Sequence, residues 1–191
     1  MFSGGIALVL LLAFALWLGR HDIALQGAQR YLHTEFARVE RVHNGAPLSA
    51  PLKIKAGERE EIISLGDYAG QIVLLNLWAS WCAPCVAELP ELQALKEYYG
   101  VQGGELAVLA VSVDHRKTMP EIAEFLARHD VSDAALYHDF RGDLQLALPF
   151  TSLPTSFLIG RDGRVLYKMT GKAHWTDKRM LKFLDVAQKV Y

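Results

Sequence analysis

The chain is poor in cysteine. Its 191 residues hold only Cys82 and Cys85. With no second pair there is neither a four-thiolate zinc site nor a disulfide framework. The seven histidines, His21, His33, His43, His115, His129, His138 and His174, are scattered without ligand spacing. No metal site and no cofactor are therefore expected. The formal net charge is only −1, which gives no electrostatic reason for a nucleic-acid partner or an acidic substrate. Internal repeats and low-complexity tracts are lacking too. No basic residue precedes the N-terminal apolar run, and the run itself carries no charge.

What is there starts with the two cysteines. They form Trp81-Cys82-Ala83-Pro84-Cys85, between an apolar run and a helical pattern. Gln71 to Leu77 has the composition of a buried strand. From Val86, apolar residues recur at helical spacing through Leu89, Leu92, Leu95, Tyr98 and Tyr99, which predicts a helix over about 84–99. Cys82 then sits at a helix N-terminus, where free N–H groups and the helix dipole stabilise a thiolate. A structural disulfide across two intervening residues closes too small a loop to stabilise much. The pair reads as a redox dithiol, with Cys82 attacking and the more buried Cys85 resolving.

The second signal is Phe2 to Gly19, an uncharged apolar stretch. As a helix it spans about 27 Å, enough to cross a bilayer, with Trp17 and Arg20 at the interface. The expectation is an uncleaved anchor over 1–19. A signal peptide cleaved near Ala13-Phe14-Ala15 is the alternative, weakened by the missing basic n-region. Arg20, Arg30, Arg38 and Arg41 after the run mildly favour a cytoplasmic domain. A periplasmic or external domain is nonetheless expected, because an anchored dithiol best serves exported proteins.

Residues 20–44 are expected as a helical spacer. Ile23, Ala24, Ala28, Tyr31, Leu32, Phe36 and Val39 form a loose stripe along 21–43, which either spaces the membrane from the domain or packs on it or on a partner. Asn44 through Pro51 is the expected linker. Residues 45–191 are left for one domain. Its expected order is a strand at 61–65, the strand–helix unit around the cysteines, a buried strand at 106–113 and a helix opened by Thr118-Met119-Pro120-Glu121. A short strand at 134–138 follows, then a hairpin around Arg161-Asp162-Gly163. The last helix starts near Thr176 and buries Met180, Phe183, Leu184, Ala187 and Val190. The expected fold class is α/β, a mixed sheet with helices on both faces.

With Trp81-Cys82-x-x-Cys85 after a strand and Leu153-Pro154-Thr155 before a late one, residues 45–190 resemble the thioredoxin superfamily, most closely its membrane-anchored TlpA/ResA-like branch. Leu75 through Pro90, Gly70, Val111 through Asp114 and Pro154 through Ile159 carry the resemblance. It implies a thioredoxin-like three-layer sandwich with an extra helix–strand element between Val113 and Ala134. It implies a cis Pro154, with Leu153 offering its backbone to an extended substrate, and it makes Trp81 and Pro84 part of the docking surface. Many thioredoxins carry a buried Asp where this chain has Asn76, which cannot titrate. Glu88 is then the nearest acid that could take the proton of Cys85, or else a structural residue.

The expected function is a membrane-tethered thiol-disulfide oxidoreductase acting on protein disulfides. It would sit in the bacterial inner membrane as a single-pass protein, its soluble domain facing the periplasm or cell exterior. The resemblance implies a reductant, recharged by a DsbD-like membrane electron donor, with cytochrome c maturation as a client pathway. The alternatives are a thioredoxin-like binding module or metallochaperone without turnover, and a disulfide-forming oxidase.

Overall fold

The computed structural model describes residues 26–27, 29–42, 48, 53–56, 61–101, 105–131 and 137–191. The expected anchor at 1–19 and nearly all of the expected linker lie outside these. Among the described residues, no helix is long and apolar enough to cross a membrane.

A helical segment α1 (residues 29–35) is followed by β1 (Arg38–Arg41), β2 (Lys53–Ala56) and β3 (Glu61–Ser64). After a 3-10 turn at Leu65–Tyr68 come β4 (Ile72–Trp78), α2 (Ala83–Val86), α3 (Leu89–Val101) and β5 (Leu106–Ser112). Then follow α4 (Met119–Ala127), β6 (Tyr137–His138), α5 (Asp143–Ala147), β7 (Thr155–Ile159), β8 (Val165–Thr170) and α6 (Lys178–Val190).

The strands form one mixed sheet in the order β1-β8-β7-β4-β5-β6-β2-β3. β4, β5 and β6 run parallel, while β7 is antiparallel to β4. Every residue of β4 and β7 is buried, so both faces of the sheet centre are covered. Of the helix–strand element expected between Val113 and Ala134, α4 falls within that stretch, while β6 lies beyond it. Of the strand expected at 134–138, the last two residues form β6, and 134–136 lie outside the described residues.

Four local expectations are corrected. The helix expected over 84–99 is two helices, broken at Ala87-Glu88. Pro90 has no N–H to offer the carbonyl of Val86, so the ladder cannot run through, and the Glu88 N–H bonds Cys85 O instead. The strand expected at 61–65 ends at Ser64. Ser64 caps the 3-10 turn, its Oγ accepting from Gly66 N at 3.0 Å while Asp67 accepts from Ser64 N at 2.7 Å. Residues 38–41 are strand rather than helix, pairing antiparallel with β8 from Arg38↔Thr170 to Arg41↔Tyr167. Tyr98 and Val190 lie on the outside of their helices.

The capping box at Thr118 is present, with Glu121 accepting both the N–H and the O–H of Thr118 at 2.7 Å. α6 begins at its cap Asp177 and buries Met180, Phe183, Leu184 and Ala187. Each large side chain among these contributes roughly 1.5–3 kcal/mol.

Candidate active site

β4 ends at Trp78, and the chain turns through Ala79-Ser80-Trp81 into Cys82, the residue that caps α2. Pro84 fits in the first turn of α2 because an N–H there has no intrahelical partner. The turn is tied to the neighbouring strand by Asp114, just past β5. Its carboxylate accepts from Ser80 N at 2.8 Å, Ser80 Oγ at 3.2 Å and Ser112 Oγ at 2.9 Å. Cys82 and Cys85 are joined as a disulfide with Cα atoms 5.3 Å apart. Cys82 is 6% exposed and Cys85 is fully buried. Trp81 stands out from the surface at 73% exposure.

The Leu153–Pro154 peptide bond is cis. The register Leu77↔Thr155 places Pro154 beside the end of β4, where the cysteine turn begins. Trp81 and Leu153 line one cleft of about 400 Å³, together with Val113, His115, Gln145 and Phe150. The structure therefore brings together the cysteine pair, Trp81 and the proline loop.

A second group follows the pair in the chain. Glu88 is fully buried at the joint between α2 and α3. Its Oε1 accepts from Asn76 Nδ2 at 2.8 Å, and the same nitrogen donates to Ser156 Oγ at 3.0 Å. Its Oε2 accepts from Ala173 N at 3.0 Å and from the Trp175 indole N–H at 3.2 Å. Burial pushes the Glu88 carboxyl up to about 7. The three hydrogen-bond donors and the Lys172 charge pull it back only in part.

Asn76 and Glu88, two positions singled out in the sequence, are thus in direct contact. No pattern in the sequence marks Ser156, Ala173 and Trp175 as their partners. Ser156 stands opposite Asn76 in the β4·β7 register, which only the strand pairing reveals. Ala173 and Trp175 come from more than 80 residues away, and no local pattern points to them. Among the described residues there is no cluster of three metal-ligating side chains.

The AhpC/TSA family model matches residues 48–168. The chain belongs to this family. Within it, the chain is 31% identical to the thiol-disulfide oxidoreductase ResA of Bacillus subtilis over 136 residues, 71% of this chain and 72% of that protein. It is 29% identical to ResA of Bacillus cereus over 137 residues, 72% of this chain and 75% of that protein. Among solved structures it is similar to a Chlorobium tepidum protein assigned as the thiol:disulfide interchange protein DsbE. That match has a TM-score of 0.62 and 26% identity, over 77% of this chain and 99% of that one. This AhpC/TSA chain is accordingly a thioredoxin-like thiol-disulfide oxidoreductase of the ResA/DsbE type, and the thioredoxin-superfamily resemblance of the sequence stands.

Proposed function

We propose that this protein is a membrane-tethered reductant of disulfides in exported proteins. The observation that carries the reading is the asymmetry of the cysteine pair. Cys82, next to the exposed Trp81, keeps 6% exposure, whereas Cys85 is fully buried, three residues before the buried acid Glu88. In the reduced protein the Cys82 thiolate attacks one sulfur of a client disulfide. A mixed disulfide forms and the first client sulfur leaves as a thiolate. Glu88 takes the proton of Cys85, whose thiolate then attacks Cys82 Sγ and releases the second client sulfur. The client gains two electrons, and the Cys82–Cys85 disulfide described here is the product. A membrane dithiol donor of the DsbD type restores the reduced pair.

Asn76 suits both states of Glu88. Its Nδ2 holds the carboxylate, and its buried Oδ1 has no partner among the described residues. A protonated Glu88 would donate to that oxygen once the amide turns over. Leu153, set by the cis bond to Pro154, supplies the backbone edge for an extended client segment, flanked by Trp81 and Pro84. The apolar run at 2–19 supports anchorage in the bacterial inner membrane, with the domain in the periplasm or outside the cell. Apocytochrome cysteines awaiting haem are one client class that needs such a reductant.

The full-length chain should stay with membranes through a carbonate wash; release into the supernatant would refute the anchor. Its cysteine couple should titrate near about −270 mV, the range of thioredoxin. A value near about −120 mV would make it an oxidase instead.

A further inference from the structure

The loop between β8 and α6 is held by three carboxylates from three different elements. Ala173 N and Trp175 Nε1 both donate to Glu88 Oε2. His174 N donates to Glu35 Oε1, from α1, at 2.6 Å. Thr176 N and Oγ1 donate to Glu91 Oε2, from α3, at 3.3 Å each. The α1–β1 arm therefore grips the loop that supplies two of the three donors to Glu88.

The grip extends beyond one hydrogen bond. Phe36, buried at the end of α1, sets its ring edge against the indole of Trp175, with centroids 5.6 Å apart and planes at 60°. Ala37 lies so close to Gly171 that a Cβ there would meet it at 3.2 Å, and Gly171 has a φ of +110°. Only glycine is at ease with both conditions. The next arm residue, Arg38, is in register with Thr170, so the pairing of β1 with β8 fixes the arm alongside the loop.

We infer that Phe36 and Glu35 are positioning residues for Glu88, acting through Trp175 and the backbone of Ala173–His174 to fix the two N–H donors on Glu88 Oε2. The inference rests on Glu88 being the proton acceptor for Cys85. A donor aimed at a carboxylate favours its ionised form, so loss or misalignment of one lets burial raise the carboxyl further. The charged groups around this site are few. Lys172 precedes the loop and attracts the carboxylate. Glu35, Glu91 and His174 lie along the loop, with His174 Nδ1 3.3 Å from Glu91. β4 and β7 present Asn76 and Ser156, which do not titrate in the working range, and α2 presents Cys85.

The test uses the reduced protein and a chromogenic aromatic disulfide. The second thiolate released reports the attack of Cys85 on the mixed disulfide. Its rate against pH should break near 7 in the parent protein, and Glu88→Gln should remove the break. Trp175→Phe keeps a ring but loses the N–H, and should move the break upward by about one to two pH units. At pH 7 that slows the step about fivefold for one unit and about fiftyfold for two. Phe36→Ala should move the break in the same direction by less, and Phe36→Leu serves if the alanine variant does not fold. A stability loss alone would leave the break in place. If Glu88→Gln removes the break while the Trp175 and Phe36 variants keep the parent position, this inference is overturned and the role of Glu88 stands. If Glu88→Gln leaves the profile unchanged, both fall.

Discussion

At the residue scale, the buried Glu88 is the group with most to reveal. Its carboxyl is raised from 4.5 to about 7, first of all by burial. Between those values the folded protein holds a proton that the unfolded chain releases, so stability falls as pH rises through that window and levels off above it. The loss amounts to about 3 kcal/mol. Gln does not titrate, so the unfolding free energy of Glu88→Gln minus that of the parent should grow by this amount between pH 4.5 and 8. Denaturant titrations of both oxidised proteins at the two pH values measure it, and a constant difference would show that Glu88 keeps an ordinary carboxyl. The sequence made Glu88 and Asn76 candidates through their spacing from the cysteines. Their contact was not legible, because it depends on how the joint between α2 and α3 lies against β4. The partners Ser156, Ala173 and Trp175 arrive from distant segments.

At the element scale, the arm before the domain is the largest departure from expectation. The stripe of Tyr31, Leu32 and Phe36 was visible in the sequence, and all three are buried. The strand at 38–41 was not visible. Arg-Val-Glu-Arg has only one β-branched residue, and its pairing comes from the free edge of β8. Of the two readings of 21–43, packing on the domain describes residues 29–41. Leu32 is fully buried, so Leu32→Ala should cost about 2–5 kcal/mol of domain stability by thermal or denaturant unfolding. A spacer that only bridges membrane and domain would show no loss. The break at Ala87-Glu88 teaches a similar lesson. Apolar spacing carried the helix across Pro90, whereas the missing N–H interrupts it and leaves Glu88 at the joint.

At the scale of the whole molecule, the fold was largely legible. Continuous apolar runs gave buried central strands, the Arg161-Asp162-Gly163 turn gave the β7–β8 hairpin, and the order of elements gave a mixed sheet. What strand order could not supply was the way four segments meet at the site. β4 brings the cysteine turn, β7 the Pro154 loop, β5 the Asp114 brace, and the segment after β8 the donors to Glu88. The central claim is that this assembly makes Cys82 the attacking sulfur and Cys85 the resolving one. Reduced Cys85→Ser and Cys82→Ser proteins, each incubated with a disulfide-containing protein such as insulin and mapped by peptide mass spectrometry, test it directly. The account predicts a stable mixed disulfide through Cys82 in the Cys85→Ser protein and little adduct through Cys85 in the Cys82→Ser protein. Equal or faster capture through Cys85 would contradict it.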